Sequence, residues 1–468
     1  MKKTKIICTL GPSVDDDNIL NNIIKAGMDV ARFNFSHGDH ASQQERVDRI
    51  KRVKKENGKD VALLLDTKGP EIRIGKFENG SVSLNEGEFF VLYNKDILGN
   101  QNGVSISHKE LYLEMRPGKI ILLNDGLVEL IVVNVDGKDI VCKIVNGGVI
   151  SNNKGVNIPD TDTHLPSLTE QDIEDIEFAI KNDFDFIAAS FVRKAADVLA
   201  VRKILSKNNA DKIKIISKIE NREGVNNFDE ILAVSDGIMV ARGDLGVEIP
   251  FEEIPALQKM MCKKCNKQHK IVIVATQMLE SMINNPRPTR AEVSDVANAI
   301  YDGASAIMLS GESAAGKYPV ESVKTMTKIA KKTERAIVSE NHLVTESISS
   351  VGEAIALSSV VSAEVVDASV IVCLTESGKT AKTISFNRPS CPVLAITHDD
   401  KVVRELMLTW GVYPIKLENN YDTEHMFNIG IDNALQKELA VKGDKIVITS
   451  GGSNSKEGST NILRICEV

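Results

Sequence analysis

Eight short β-branched runs recur along the chain, each apolar at its start and polar or glycine-rich at its end. They are TKIICTLG (4–11), DVARFNFSH (29–37), VALLLDTKG (61–69), FDFIAASFV (184–192), KIKIISKIE (212–220), GIMVARGDLG (237–246), KIVIVATQML (270–279) and SAIMLSGES (305–313). Most recur at roughly 25 to 35 residues, the length of one strand plus a crossover helix. Buried parallel strands read as continuous apolar runs. Polar residues gathered at carboxyl ends are what a (β/α)8 barrel shows, because its active site is built there. The pattern predicts an α/β protein organised on a TIM barrel.

One interval breaks the rhythm, between the third and fourth runs. Within it EIRIGKF, SVSLNEG, FFVLYN, KIILLN, LVELIVVNVD and DIVCKIVNGG read as short strands, with Asn-Gly or Asp-Gly turns at 79–80, 125–126 and 136–137. Residues 71–168 are therefore expected to form a β-barrel-like domain inserted after strand three. The barrel would comprise 1–70 and 169–338, roughly 240 residues, a usual barrel size. Residues 339–468 open with a polar stretch, SENHLVTESISS, and then alternate strands with helices: ASVIVCLTESGKT, CPVLAITHDD, VYPIKL, DKIVITSGG and ILRICEV. This predicts a carboxyl-terminal open α/β domain. Segment 451–460 reads as a flexible loop before the last strand.

Composition excludes several classes. Lys plus Arg number 57 against 65 Asp plus Glu, a formal charge of −8. Duplex nucleic acid needs a basic footprint that this chain lacks. No apolar run approaches the ~20 residues of a membrane span. The start, MKKTKIICTLGP, is basic then apolar like a signal peptide, but it is soon broken by Gly11-Pro12 and Asp15-Asp16-Asp17. Seven scattered cysteines fit free thiols in a reducing compartment. The chain reads as cytoplasmic. Cys262 and Cys265 form a CxxC, yet no second pair or His sits at zinc spacing, so they read as ordinary helix residues.

Two segments imitate phosphate loops. Gly311 to Lys317 fits GxxxxGK, but Tyr318 stands where a Ser or Thr hydroxyl would reach magnesium. Ser377-Gly378-Lys379-Thr380 lacks the earlier glycine of that motif. It still follows a strand and opens a helix, where free amides and the dipole favour an anion. With Thr375 it makes a candidate phosphate-effector site.

The chemistry concentrates at the strand ends. In the second run a period of two puts Arg32, Asn34 and Ser36 on one face and both phenylalanines on the other. Arg32 suits a phosphate. The third run ends Asp66-Thr67, and Arg73 follows as a second phosphate fork. Asn34, Ser36, Asp66 and Thr67 offer oxygens with one formal negative charge, which suits a monovalent cation better than Mg²⁺. Lys218 and Glu220 share a face at the fifth run's end. Glu220 and Asp244, from adjacent strands, would share a divalent ion, while the Gly243 and Asp244 amides would bind a carboxylate. Thr276, Ser310 and Glu312 supply hydroxyls and a carboxylate for proton handling. Loop 284–292 is too rich in proline to begin as helix. The inventory fits phosphoryl transfer involving a small anionic acid, a chemistry of positioning and charge neutralisation.

At these residues the sequence resembles the pyruvate kinase family. The likeness is carried by TKIICTLGPS, AGMDVARFNFSHG, LLLDTKGPEIR, SKIENREG, IMVARGDLGVEIP, VATQMLESM and PRPTRAEVSDVANAIYDGASAIMLSGESAAGKYPVESV, and it covers the whole chain. The resemblance implies phosphoryl transfer from phosphoenolpyruvate to ADP. It implies Lys218 neutralising the moving group, Glu220 and Asp244 on Mg²⁺ (or Mn²⁺), and Thr276 with the Gly243 and Asp244 amides on the pyruvate part. Arg32 and Arg73 would bind phosphates, and His37 and Lys194 the nucleotide. Asn34, Ser36, Asp66 and Thr67 would ligate K⁺. Similar enzymes that dispense with K⁺ tend to carry Lys where this chain has Glu71. Thr276, Ser310 and Glu312 with a water are the candidate proton donors to the enolate. The inserted domain would be a water-excluding lid, the third domain would hold a phosphorylated effector, and the assembly would be a homotetramer. Ending near residue 468, the chain would lack the extra carboxyl-terminal domain of some bacterial members.

Two rival readings stand beside this one. A barrel aldolase would share the Glu–Asp metal pair without needing Lys218 or the K⁺ oxygens. A non-catalytic sugar-phosphate sensor would keep 377–380 and dispense with the barrel-mouth residues.

Overall fold

All eight apolar runs become strands of one closed parallel barrel in the computed structural model, which describes residues 1–161, 163–337, 350–418, 423–451 and 460–468. The strands are β1 (Lys5–Thr9), β2 (Val30–Asn34), β3 (Ala62–Asp66), β4 (Phe186–Ala189), β5 (Lys214–Ile219), β6 (Gly237–Ala241), β7 (Ile271–Ala275) and β8 (Ala306–Leu309). Each pairs with its neighbours in chain order, and β8 closes on β1 through Lys5 opposite Ala306.

Alternation sorts each strand between two cores. Outward residues such as Cys8, Phe33, Leu65 and Ile219 pack under the helices. Inward residues such as Ile7, Leu64, Ile216 and Met308 fill the barrel. Phe33 meets Phe184 edge-on at 5.1 Å and Phe35 meets Phe178 at 5.4 Å, so the phenylalanine face of β2 turns outward as expected. Helix starts follow local capping. Thr169 and Asp172 form a capping box for Glu170–Lys181, and Thr289 and Glu292 do the same for Arg290–Tyr301. The proline-rich loop therefore gives way to helix at Arg290. Cys262 and Cys265 are buried in the helix Ile254–Lys267.

Between β3 and β4 the chain forms a seven-stranded sheet and a two-stranded ribbon. A bridge from Ile74 to Ile106 draws the sheet's two edge strands, Ile72–Arg73 and Gly103–Ser105, together into a barrel-like form. Three strands of the insert, Gly103–Ser105 and Gly155–Asn157 in the sheet and Gly148–Ser151 in the ribbon, are additional to the six read from sequence. They are three or four residues long and begin with glycine, too short for alternation to show.

The carboxyl-terminal sheet comprises β9 (Val370–Leu374), β10 (Val393–Thr397), β11 (Val412–Lys416), β12 (Lys445–Gly451) and β13 (Thr460–Glu467). Its order is β11-β10-β9-β12-β13, with β13 antiparallel to β12. The 338/339 boundary and nearly all of the loop expected at 451–460 lie outside the described residues. This domain docks on the amino-terminal end of the barrel. Met407 and Leu408 join the barrel's interior cluster. Arg404 Nε donates to Asp185 Oδ1 at 2.8 Å, and the other Asp185 oxygen accepts from the Leu63 amide at 2.9 Å.

Candidate active site

Strand register brings the polar ends to one mouth. Asn34 lies opposite Asp66 across β2 and β3, and β3 pairs β4 through Asp66 and Ala188. Asp66 is 1% exposed, so its charge needs partners. Arg32 Nε donates to its Oδ2 at 2.6 Å, and Lys218 Nζ donates to its Oδ1 at 3.1 Å. Burial would push the Asp66 carboxyl up, but the two cations hold it below its ordinary range.

Lys218 also donates to Ser190 Oγ at 2.8 Å and lies 2.8 Å from Glu220 Oε1. Burial works against its charge. Asp66, Glu220 and Asp244 outweigh that and raise it, so the ammonium persists at neutral pH. Ser190 is a residue that sequence reasoning passed over. It directly follows β4, at the carboxyl end where polar residues gather, and that position was its available signal. Its hydroxyl bonds Thr67 O at 2.6 Å.

Glu220 is 1% exposed. Its Oε2 accepts from the Phe191 amide at 2.6 Å. Its Oε1 is buried and, despite the nearby ammonium, accepts no directed hydrogen bond. Burial raises its carboxyl above the usual range; Lys218 opposes that and Asp244 adds to it. An under-satisfied buried oxygen beside a second carboxylate suits a divalent cation. Among the described residues no group of three or more His, Cys, Asp or Glu side chains is arranged to hold a metal. Two carboxylates suffice for Mg²⁺, which fills its other positions with water and substrate oxygens.

At the ends of β6 and β7, the Gly243 amide donates to Thr276 Oγ1 at 2.7 Å, so these two expected carboxylate-binding groups are neighbours. Thr276 and Gln277 have φ of 67° and 53°, and Phe191 has 54°. Such left-handed backbone at non-glycine residues is strained and concentrates at functional sites. Arg242 holds the strained turn in place, donating to Thr276 O at 2.8 Å while paired with Asp295 at 2.6 Å.

Glu312 is anchored to backbone. It is fully buried, and its two oxygens accept from the Leu279 amide at 2.9 Å and the Ser310 amide at 2.8 Å. Accepting one backbone bond on each oxygen, it ties the end of β8 to the segment after β7, and each oxygen keeps a second lone pair. Ser310 Oγ, in contrast, is buried without a partner.

The remaining expected residues lie around this centre. Asn34 Oδ1 accepts from the Ser36 amide at 3.0 Å, and the Ser190 amide donates to Thr67 Oγ1 at 3.1 Å. His37 and Lys194 are exposed. Arg73 pairs with Glu71 and donates to Asn153 O at 2.8 Å. A cleft of about 260 Å³ opens between the two domains. Glu71, Asp125 and Asn157 line it from the insert, and Phe191, Asn221 and Asp244 from the barrel. Asn157 Nδ2 donates across it to Glu248 Oε1 at 2.9 Å. Far from this mouth, Gly378 (φ 75°) precedes the helix Lys379–Phe386. Its amide donates to Thr375 Oγ1 at 3.0 Å, Ser377 and Lys379 are exposed, and Thr380 bonds Thr460.

Comparison with known proteins agrees with this geometry. Residues 1–323 match the family model "Pyruvate kinase, barrel domain", and 353–466 match "Pyruvate kinase, alpha/beta domain". The chain is 46% identical to a pyruvate kinase of Clostridium acetobutylicum over 99% of both proteins. It is 48% identical to one of Geobacillus stearothermophilus over 99% of this chain and 80% of that protein. A crystal structure of a pyruvate kinase from Cryptosporidium parvum superposes with a TM-score of 0.94 at 41% identity, covering 100% of this chain and 96% of that one.

The raised Glu220 carboxyl gives a signed stability test. A carboxyl whose folded pKa exceeds its unfolded value costs stability above the folded value, and the cost is relieved as pH falls toward the unfolded one. Without metal, Glu220→Gln is expected to raise the denaturation midpoint at pH 8 more than at pH 5. Equal effects at the two pH values would contradict this assignment.

Proposed function

Because the chain belongs to the pyruvate kinase family, and so transfers the phosphoryl group of phosphoenolpyruvate to ADP, we infer that the groups around Asp66 carry the transfer. The observation that bears most weight is the buried Lys218 ammonium, held by Asp66 and Ser190 beside Glu220. Phosphoryl transfer asks mainly for positioned positive charge in a site closed to water. Lys218 and the unbound N–H groups of Arg32 face the charge that develops as the phosphoryl group moves. Thr276 and the Gly243 and Asp244 amides hold the carboxylate of the substrate. Arg73, His37 and Lys194 take the nucleotide. Thr276, Ser310 and Glu312, working with a water, are the candidates to deliver the proton to the enolate carbon. The inserted domain, already linked to the barrel by Asn157 and Glu248, excludes water when closed.

Pyruvate kinases are metal-dependent. We place Mg²⁺ or Mn²⁺ at Glu220 and Asp244, and K⁺ at Asn34, Ser36, Asp66 and Thr67. A divalent ion there would offset phosphate and enolate charge. Support for K⁺ comes from the register that sets Asn34 beside Asp66 and from the cluster's low formal charge. The seven free thiols fit a cytoplasmic enzyme, and among the described residues no helix is long and apolar enough to cross a membrane. The homotetramer follows from the family resemblance. The carboxyl-terminal domain is read as regulatory, its turn Thr375–Thr380 taking a phosphorylated effector that favours the active state.

Three outcomes test these assignments. Lys218→Met is expected to keep the fold and lower pyruvate formation by at least about a hundredfold; near-normal turnover would remove Lys218 from its role. Activity is expected to collapse in Na⁺-only or tetramethylammonium buffer and return with K⁺. Glu71→Lys, which also releases Arg73, should restore part of it. Full activity without K⁺ or NH₄⁺ would make the oxygen cluster structural. Among fructose 1,6-bisphosphate, ribose 5-phosphate, glucose 6-phosphate and AMP, at least one should activate. Lys379→Glu should abolish that response and spare basal activity; no response to any of them would refute the regulatory site.

A further inference from the structure

The first barrel strand ends like the others, apolar then polar, yet no role so far uses its last residue, Thr9. It is 4% exposed and lies opposite Arg32 in the β1–β2 register. Its hydroxyl has one proton, and that proton goes to Leu309 O at 2.9 Å. What remains on Oγ1 is acceptor capacity, and Arg32 Nη1 donates to it at 2.8 Å. The backbone around Thr9 is fixed as well: its carbonyl accepts from Ser313 Oγ at 2.9 Å, and the Leu10 amide donates to Arg32 O at 2.9 Å.

The Arg32 guanidinium is therefore held at two different nitrogens, Nε by Asp66 and Nη1 by Thr9. A planar group fixed at one nitrogen can still swing about that bond. Fixed at two, it has one orientation, and the N–H groups of Nη2 point in a set direction. Binding gains when such a fork is ordered before the anion arrives. Asp66 cannot do this alone, because it also carries Lys218 and its position is shared between two cations. Leu309 ends β8, so the hydroxyl also ties the orientation of Arg32 to the seam where the barrel closes.

We propose that Thr9 is a positioning residue for phosphoenolpyruvate binding, acting through the Nη1 of Arg32. This rests on the reading of Arg32 as a phosphate ligand. Thr9→Val keeps the β-branched shape and removes the acceptor. It is expected to raise KM for phosphoenolpyruvate about tenfold, as for a lost hydrogen bond to a charged group. The fall in kcat should be smaller and KM for ADP unchanged. Thr9→Ser, which retains the hydroxyl, should restore the phosphoenolpyruvate KM. Thr9→Ala supplies the same comparison if the valine variant folds poorly. In an Arg32→Gln background, Thr9→Val should add nothing further. An unchanged phosphoenolpyruvate KM in Thr9→Val, an equal rise for both substrates, or a serine variant as impaired as valine would overturn the proposal. If Arg32→Gln raises that KM while Thr9→Val does not, Thr9 alone is refuted. If Arg32→Gln leaves it unchanged, the phosphate reading of Arg32 fails first.

Discussion

The active mouth depends on one carboxylate serving two cations. Asp66 sits at the end of β3, fully enclosed, with Arg32 on one oxygen and Lys218 on the other. Buried cations with no counter-charge would lose their protons or distort the fold. Sharing keeps both groups charged, and the further carboxylates beside Lys218 (Glu220 and Asp244) are the ones whose charge a divalent ion would offset. It also fixes strand order, since β2, β3 and β5 must converge on one point, with β4 between the last two contributing Ser190 as a bridge.

The surrounding architecture keeps that point rigid. Glu312 clamps β8 to the segment after β7, and Arg242 holds the left-handed residues after β7. Glu312 bonds backbone amides, and Arg242 bonds backbone carbonyl and neighbouring side chains, Asp295 among them. Such supporting groups locate the reacting ones to fractions of an ångström, which positional catalysis requires.

Much of this was legible in the sequence, for a stated reason. A parallel barrel writes its topology as repeated apolar runs and its chemistry at their ends, so the eight strands and the cluster of Arg32, Asp66, Lys218, Glu220 and Asp244 could be read directly. What escaped depended on direction. Glu312 reads like any carboxylate at a strand end; that its oxygens turn to two amides is a fact of three dimensions. Ser190 has only its place at a strand's carboxyl end to mark it; uncharged and following two alanines, it gives no sign in the sequence of its bond to Lys218. The short glycine-led strands of the insert lack the length for a period to appear.

The plug formed by Met407 and Leu408 has a consequence in time rather than in space. The barrel's interior is completed by side chains that belong to another domain and leave the ribosome long after β8. Domains usually fold in order of synthesis. Here the base of the first is packed by side chains of the last. Until the later segment is made, Met407 and Leu408 are missing from that interior cluster.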